Sequence, residues 1–81
     1  MEKPIFIQYV NPRVILVVNR MGLLKTVYTP FRVQCVSQVG VYRAGTFVYV
    51  EEVLSAPGDK LLYVIGSRSY LHTHFVIKIH F

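Results

Sequence analysis

Cysteine occurs once in this chain, at position 35, and tryptophan is absent. A single thiol excludes an internal disulfide framework and a zinc site built on cysteines. Acidic residues are scarce, four Asp and Glu against nine Lys and Arg. Two of those four are neighbours, Glu51 and Glu52. Adjacent residues of a strand face opposite sides, so they do not form the facing carboxylate pair that glycoside chemistry needs. Their expected roles are local, one capping the solvent face and the other pairing with a cation across a hairpin. The longest strongly apolar run is Val14–Val18, whereas a membrane span needs about 20 residues. The opening Met1-Glu2-Lys3-Pro4 lacks the basic region and apolar core of a secretion signal. A reduced, cytoplasmic setting without a membrane partner is the resulting expectation. Repeats, low-complexity tracts and linkers are missing too. Gly40, Gly45, Gly58 and Gly66 stand alone, without the spacing of a nucleotide-binding fingerprint. Ser37, Ser55, Ser67 and Ser69 lie in no nucleophile motif. Neither a cofactor nor an enzymatic activity is expected.

What the chain has in quantity is apolar surface. Its residues are 53% hydrophobic, 14% aromatic and only 16% charged, a balance that excludes disorder. Its 81 residues suffice for one domain. Size scaling gives roughly 5,000 Å² of folded surface against about 13,500 Å² unfolded, enough for one small core. So small a body cannot hide all these apolar side chains. Some are expected on the surface or beneath a second copy, which points to self-association or a protein partner.

Val, Ile, Tyr, Phe and Thr dominate, and these residues suit a pleated, half-buried sheet. Turn signals recur at short spacing: Asn11-Pro12, Met21-Gly22, Thr29-Pro30, Gly40, Ala44-Gly45, Pro57-Gly58-Asp59 and Gly66-Ser67. This pattern predicts a small all-β body. A first strand is expected over residues 4–10, with Ile5, Ile7 and Tyr9 on one face. Residues 13–18 are apolar on both faces and predict burial on both sides. Residues 19–30 fit either a helical turn or a short strand over Leu23–Tyr28. Phe31, Val33 and Cys35 alternate with Arg32 and Gln34, so residues 31–36 read as a strand with one wet face.

Residues 37–45 read as a loop and residues 46–54 as one strand. That strand would place Phe47, Tyr49 and Val53 on one side and Val48, Val50 and Glu52 on the other. Ser55–Asp59 reads as a five-residue hairpin loop. Lys60–Ile65 returns, and Gly66-Ser67 predicts a type II′ turn to residues 68–72. In the closing stretch Leu71, Phe75, Ile77, Ile79 and Phe81 share one parity, and Tyr70, His72, His74, Lys78 and His80 the other. Unbroken, it would carry an aromatic, basic, imidazole-bearing face; a turn near Leu71–Thr73 would break that register.

From Phe31 onward the order of elements resembles an SH3-like small barrel. A strand and a long loop lead into Tyr42-Arg43-Ala44-Gly45-Thr46-Phe47-Val48-Tyr49-Val50, similar to the opening of the second strand of such barrels. A hairpin, Leu62-Tyr63-Val64-Ile65-Gly66, a short turn and a closing strand Phe75-Val76-Ile77 follow. The resemblance implies an all-β, SH3-like barrel of about five strands over residues 31–81. Residues 1–30 would form an N-terminal strand or hairpin extension of the same domain. An OB-like barrel is the alternative. Signalling SH3 domains carry a tryptophan and an acidic long loop. This chain has neither, so proline-rich peptide recognition is not expected.

Two surfaces are candidates for function. Arg32, Arg43, Lys60, Arg68 and Lys78 lie among Tyr42, Tyr49, Tyr63 and Tyr70, and Arg32, Arg43, Arg68, Lys78, Tyr42 and Tyr70 are the expected binding set. Small barrels bind single-stranded nucleic acid by pairing cations for phosphates with rings for bases, and the net charge of +5 attracts polyanions. The plainer alternative makes the tyrosines core or rim residues and the cations a solubility feature. The leading expectation is a small non-catalytic interaction module that binds nucleic acid through this surface. The rival is an assembly subunit that packs through an apolar surface at Val14, Leu16 and Val18. As neighbours on one strand face, His72 and His74 would stand about 6.6 Å apart, a weak metal site without a third ligand. Cys35 shares parity with Phe31 and Val33 and reads as a buried small hydrophobe.

Overall fold

Alternation and turn chemistry together cut this chain into short strands. The computed structural model describes residues 6–79; the expectations for Ile5, His80 and Phe81 lie outside them. Among the described residues the strands are β1 (Phe6–Asn11), β2 (Val14–Val18), β3 (Leu24–Tyr28), β4 (Phe31–Cys35), β5 (Phe47–Val50), β6 (Glu52–Ala56), β7 (Lys60–Ile65), β8 (Arg68–Leu71) and β9 (Phe75–Ile77). A single 3-10 turn, His72–His74, joins β8 to β9. The protein is all-β. The strands pair antiparallel into three small sheets, β1-β2-β3, β5-β4-β9 and β6-β7-β8. They do not close into one continuous barrel.

One buried cluster takes side chains from all three sheets. Ile15 and Val17 come from the first, Val33 and Val50 from the second, Val53 and Tyr63 from the third. Tyr63 is the largest of the fully buried side chains. Phe31 meets its ring edge-on at 5.6 Å, and Phe75 lies tilted to it at 5.8 Å, within the range of favourable ring pairs. The accessible surface, 5236 Å², matches the size-scaling expectation.

Several local expectations are corrected. Residues 46–54 are not one strand. Val48 and Val50 point inward before Glu51, and Val53 points inward after it, while Phe47 and Tyr49 are exposed. The change of parity lets the chain leave the second sheet and join the third. A one-residue irregularity bends a strand in this way, and Glu51 N–H stays bonded to Val64 C=O at 2.8 Å. The uncertain stretch before Phe31 is a strand, β3, and not a helical turn. The β6–β7 loop is three residues, Pro57-Gly58-Asp59, because Ala56 already pairs with Lys60.

Both residues of the Gly66-Ser67 turn have positive φ, 58° and 69°. That is the signature of type I′ and not type II′. Serine is strained there, since the left-handed region favours glycine and asparagine. Ser67→Asn is expected to stabilise the fold by about 0.5–1 kcal/mol, and Ser67→Val to destabilise it by about 1–2 kcal/mol. Urea unfolding of both variants checks the opposite signs. Equal stabilities would overturn the turn assignment.

The long loop over residues 36–46 is held down by rings. Gly40 has φ +56°, and a Cβ there would stand 3.0 Å from the Tyr70 hydroxyl. Only glycine permits so close an approach. Tyr42 packs edge-on against Tyr70 at 6.1 Å, and both flank the core.

Candidate functional site

The first sheet buries only one of its faces. Directly opposed residues of antiparallel strands share a face, so the pairing register defines both sides. Ile15 and Val17 are fully buried and face the core, with Val27 beside them. The expectation of burial on both sides of residues 13–18 is therefore corrected: Val14, Leu16 and Val18 are only half-buried. They form the middle row of the outer face. Val18 lies between Phe6 and Leu24, Leu16 between Gln8 and Thr26, and Val14 beside Tyr28. No ionisable carboxylate, amine or guanidinium belongs to these three rows. Phe6, Leu24 and Tyr28 are 55%, 68% and 67% exposed.

The β2–β3 connection places the upper end of this face. Asn19 is 1% exposed. Its Oδ1 accepts hydrogen bonds from Met21 N–H at 2.9 Å and Leu23 N–H at 3.0 Å. Its main chain closes the same loop, with Gly22 N–H donating to Asn19 C=O at 3.0 Å. Met21 and Leu23 are thereby displayed at the sheet's end, 75% and 51% exposed. Val10 adds to the other end at 46%. Leu23 alternates with Leu24 and so points off this face; the outer face itself is carried by Phe6, Val10, Leu24 and Tyr28 around the half-buried row, roughly 500 Å² with ordinary side-chain areas. Patches on ordinary monomers reach about 300–600 Å². One partner of a stable interface buries about 800 Å².

The six residues expected to bind nucleic acid come from the second sheet and its C-terminal end, the long loop and the third sheet. Arg32 lies on the outer face of β4, directly across from Tyr49. Lys78 is half-buried and follows β9, one residue past its last pairing, Ile77 with Val33. Arg43 belongs to the long loop, and Arg68 flanks the Gly66-Ser67 turn on another sheet. Tyr42 and Tyr70 are engaged with each other and with the core rim, so their rings are not open stacking platforms. Phe47, and Tyr49 from the tyrosines of the basic surface, are the exposed rings near Arg32.

The two histidines do not share a strand face. They occupy a 3-10 turn, where residues two apart point about 120° apart around the axis. His72 Nδ1 lies 3.1 Å from both the nitrogen and the carbonyl oxygen of Leu61. In one tautomer it accepts from Leu61 N–H; in the other it donates to Leu61 C=O. The imidazole thus continues the β7–β8 ladder past Leu71. His74 packs against the edge of Phe75. Among the described residues no group of three or more His, Cys, Asp or Glu is gathered for a metal.

Cys35 is buried, as its parity predicts. Burial pushes its thiol above the ordinary value, against a backbone hydrogen bond that lowers it. Tyr63 is pushed upward by burial alone. Glu51 Oε2 accepts from Gly66 N–H at 3.2 Å, so this carboxylate caps a turn. Both raised groups keep their protons longer in the folded than in the unfolded chain. Their contribution to stability is complete below the unfolded values, 9.0 for Cys35 and 10.0 for Tyr63. It is lost as pH rises through the folded values. Between about pH 10 and 12, stability is expected to fall by up to about 1.4 kcal/mol per pH unit for Tyr63. Denaturant titration across that window should show a shallower fall in Tyr63→Phe. An unchanged slope in that variant would refute the assignment.

Comparison with protein-family models, with curated proteins and with solved structures finds no match for this chain.

Proposed function

We propose that the chain is a non-catalytic interaction module of SH3-like architecture that assembles with a second copy of itself through the outer face of β1-β2-β3. The architectural part is supported by strand pairing. A first strand, β4, is joined by a long loop to β5; two hairpins follow; and the closing strand β9 returns to pair with β4. That order fits the SH3-like succession better than the Greek-key barrel of an OB-like fold. The non-catalytic part is supported by the engagement of three of the reactive side chains. Cys35 is buried, His72 holds a strand edge and Glu51 caps a turn.

The observation that carries the assembly reading is the apolar outer face. Its rows are neutral, it lies at the upper end of an ordinary monomer's patch, and its largest side chains, Phe6, Leu24 and Tyr28, stay more than half exposed in the single chain. A flat sheet face is also self-complementary under a two-fold axis. The half-buried middle row of one copy receives the protruding Phe6, Leu24 and Tyr28 of the other, with the sheets about 10 Å apart. Sedimentation equilibrium at micromolar concentrations is expected to show a dimer whose association is nearly insensitive to salt, because apolar packing does not depend on screening. A monomer at every concentration would overturn the reading.

A further inference from the structure

We infer that the outer face of β5-β4-β9 is a platform for single-stranded nucleic acid. It is separate from the assembly face and goes beyond it. Its rows follow from the register. Tyr49 faces Arg32; Phe47 faces Gln34, which faces Val76; half-buried Lys78 follows two residues after Val76, just past the end of β9. Two rings thus stand on one strand and two cations on the strand and chain segment beside it. Phe47 is 48% and Tyr49 59% exposed. The Arg32 guanidinium carbon lies 4.7 Å from the centre of the Phe47 ring, so in the free chain it covers that ring face and swings off it to a phosphate when a base stacks there. Gln34 Nε2 donates to Gly45 C=O at 3.1 Å, which fixes the middle of the face. None of these six residues is acidic. The nearest carboxylate in sequence, Glu51, is turned to Gly66 N–H.

The arrangement favours unpaired strands over duplex. Phe47 and Tyr49 are two residues apart on one strand face, which sets them about 6.8 Å apart. Successive bases in a duplex strand rise about 3.4 Å. Two neighbouring bases resting on these rings must therefore be unstacked from one another, which a single strand allows. Arg32 and Lys78 lie alongside, about 4.8 Å per strand spacing away from the ring row. They are placed to follow the phosphates while the rings take the bases, the division of labour of sheet-borne single-strand sites. An acidic peptide would use the cations but has no need of two exposed rings in register.

The test is fluorescence anisotropy with labelled single-stranded DNA and RNA and the matching duplex. Heparin serves as a polyanion without bases. Single strands of either sugar should bind at micromolar affinity and outcompete duplex and heparin. Two phosphate contacts predict a log–log salt slope of about −1.4. Tyr49→Ala should weaken binding on the order of tenfold without changing that slope. Arg32→Gln should weaken it similarly and reduce the slope by about 0.7. Both side chains are exposed, and unchanged thermal melts identify variants that remain folded. Absence of binding at low salt, equal binding of heparin, or indifference to Tyr49 would each overturn the proposal. The preference between DNA and RNA names the natural ligand class. Leu24→Glu, on the assembly face, should leave binding per chain unchanged, so failure of one proposal is separable from failure of the other.

Discussion

Leu24→Glu is expected to convert the dimer to monomer, raising the dissociation constant at least 100-fold. Leu24 is 68% exposed in the single chain, so a carboxylate there meets water in the monomer and the fold does not suffer. In the dimer the same carboxylate would lose its water without gaining a partner, since the facing rows are neutral. Burying an unpaired charge is costly, and a two-fold interface carries the substitution twice. A loss of about 3 kcal/mol corresponds to the 100-fold change. The sign of the new charge makes the result diagnostic. The chain's net charge is +5, so an added acid reduces repulsion between copies, and any dissociation must come from the interface. Tyr28→Glu, 67% exposed on the same face, should act alike, while Val41→Glu, at 85% on the long loop, should not. Sedimentation of the three variants beside the parent decides the matter. A dimer that survives both Leu24→Glu and Tyr28→Glu would place the contact elsewhere.

The strand character of the chain was legible because its signals are local. Phe31, Val33 and Cys35 alternate against Arg32 and Gln34, and each buried position of β4 follows that parity. Other features depend on contacts distant in sequence. The parity change at Glu51 leaves no local trace, because Phe47, Val48, Tyr49, Val50 and Val53 are all good strand residues on either side. Only the need to serve two sheets decides that Val50 and Val53 are both fully buried. The same limit explains the dispersed binding set. Tyr42 and Tyr70 were grouped with arginines by composition. Their rings meet because Gly40 lets the long loop settle on Tyr70, a contact made across thirty positions of chain. His72 and His74 matched a strand-face spacing only while the closing stretch was read as unbroken. Val14, Leu16 and Val18 were identified as an interface from their run, but the residues that enlarge it, Phe6, Leu24 and Tyr28, join them only through the register of β1-β2-β3.

Asn19 is the residue that local pattern concealed most fully, and its removal carries the second large prediction. Asparagine three residues before a glycine reads as an ordinary turn residue. Here it is 1% exposed, and its Oδ1 holds two backbone donors, Met21 N–H and Leu23 N–H. Asn19→Ala removes both bonds and leaves a small void in a close-packed place. Each lost bond contributes about 1 kcal/mol and the void adds to it, so the expected loss is about 2–3 kcal/mol. For a domain of this size that corresponds to a melting temperature lower by on the order of 10–20 °C. Arg20→Ala, exposed in the same loop, should change stability by less than about 0.5 kcal/mol. Melts must be compared at one protein concentration, since dimerisation itself raises the melting temperature by mass action. The loop that Asn19 closes also sets the positions of Leu23 and Leu24 at the end of the assembly face. Loosening it should therefore weaken self-association as well, by about 30-fold if ordering two apolar side chains at the interface costs about 1 kcal/mol each. Stability lost without any change in association would confine Asn19 to the fold; both unchanged would show that the loop does not depend on its side chain.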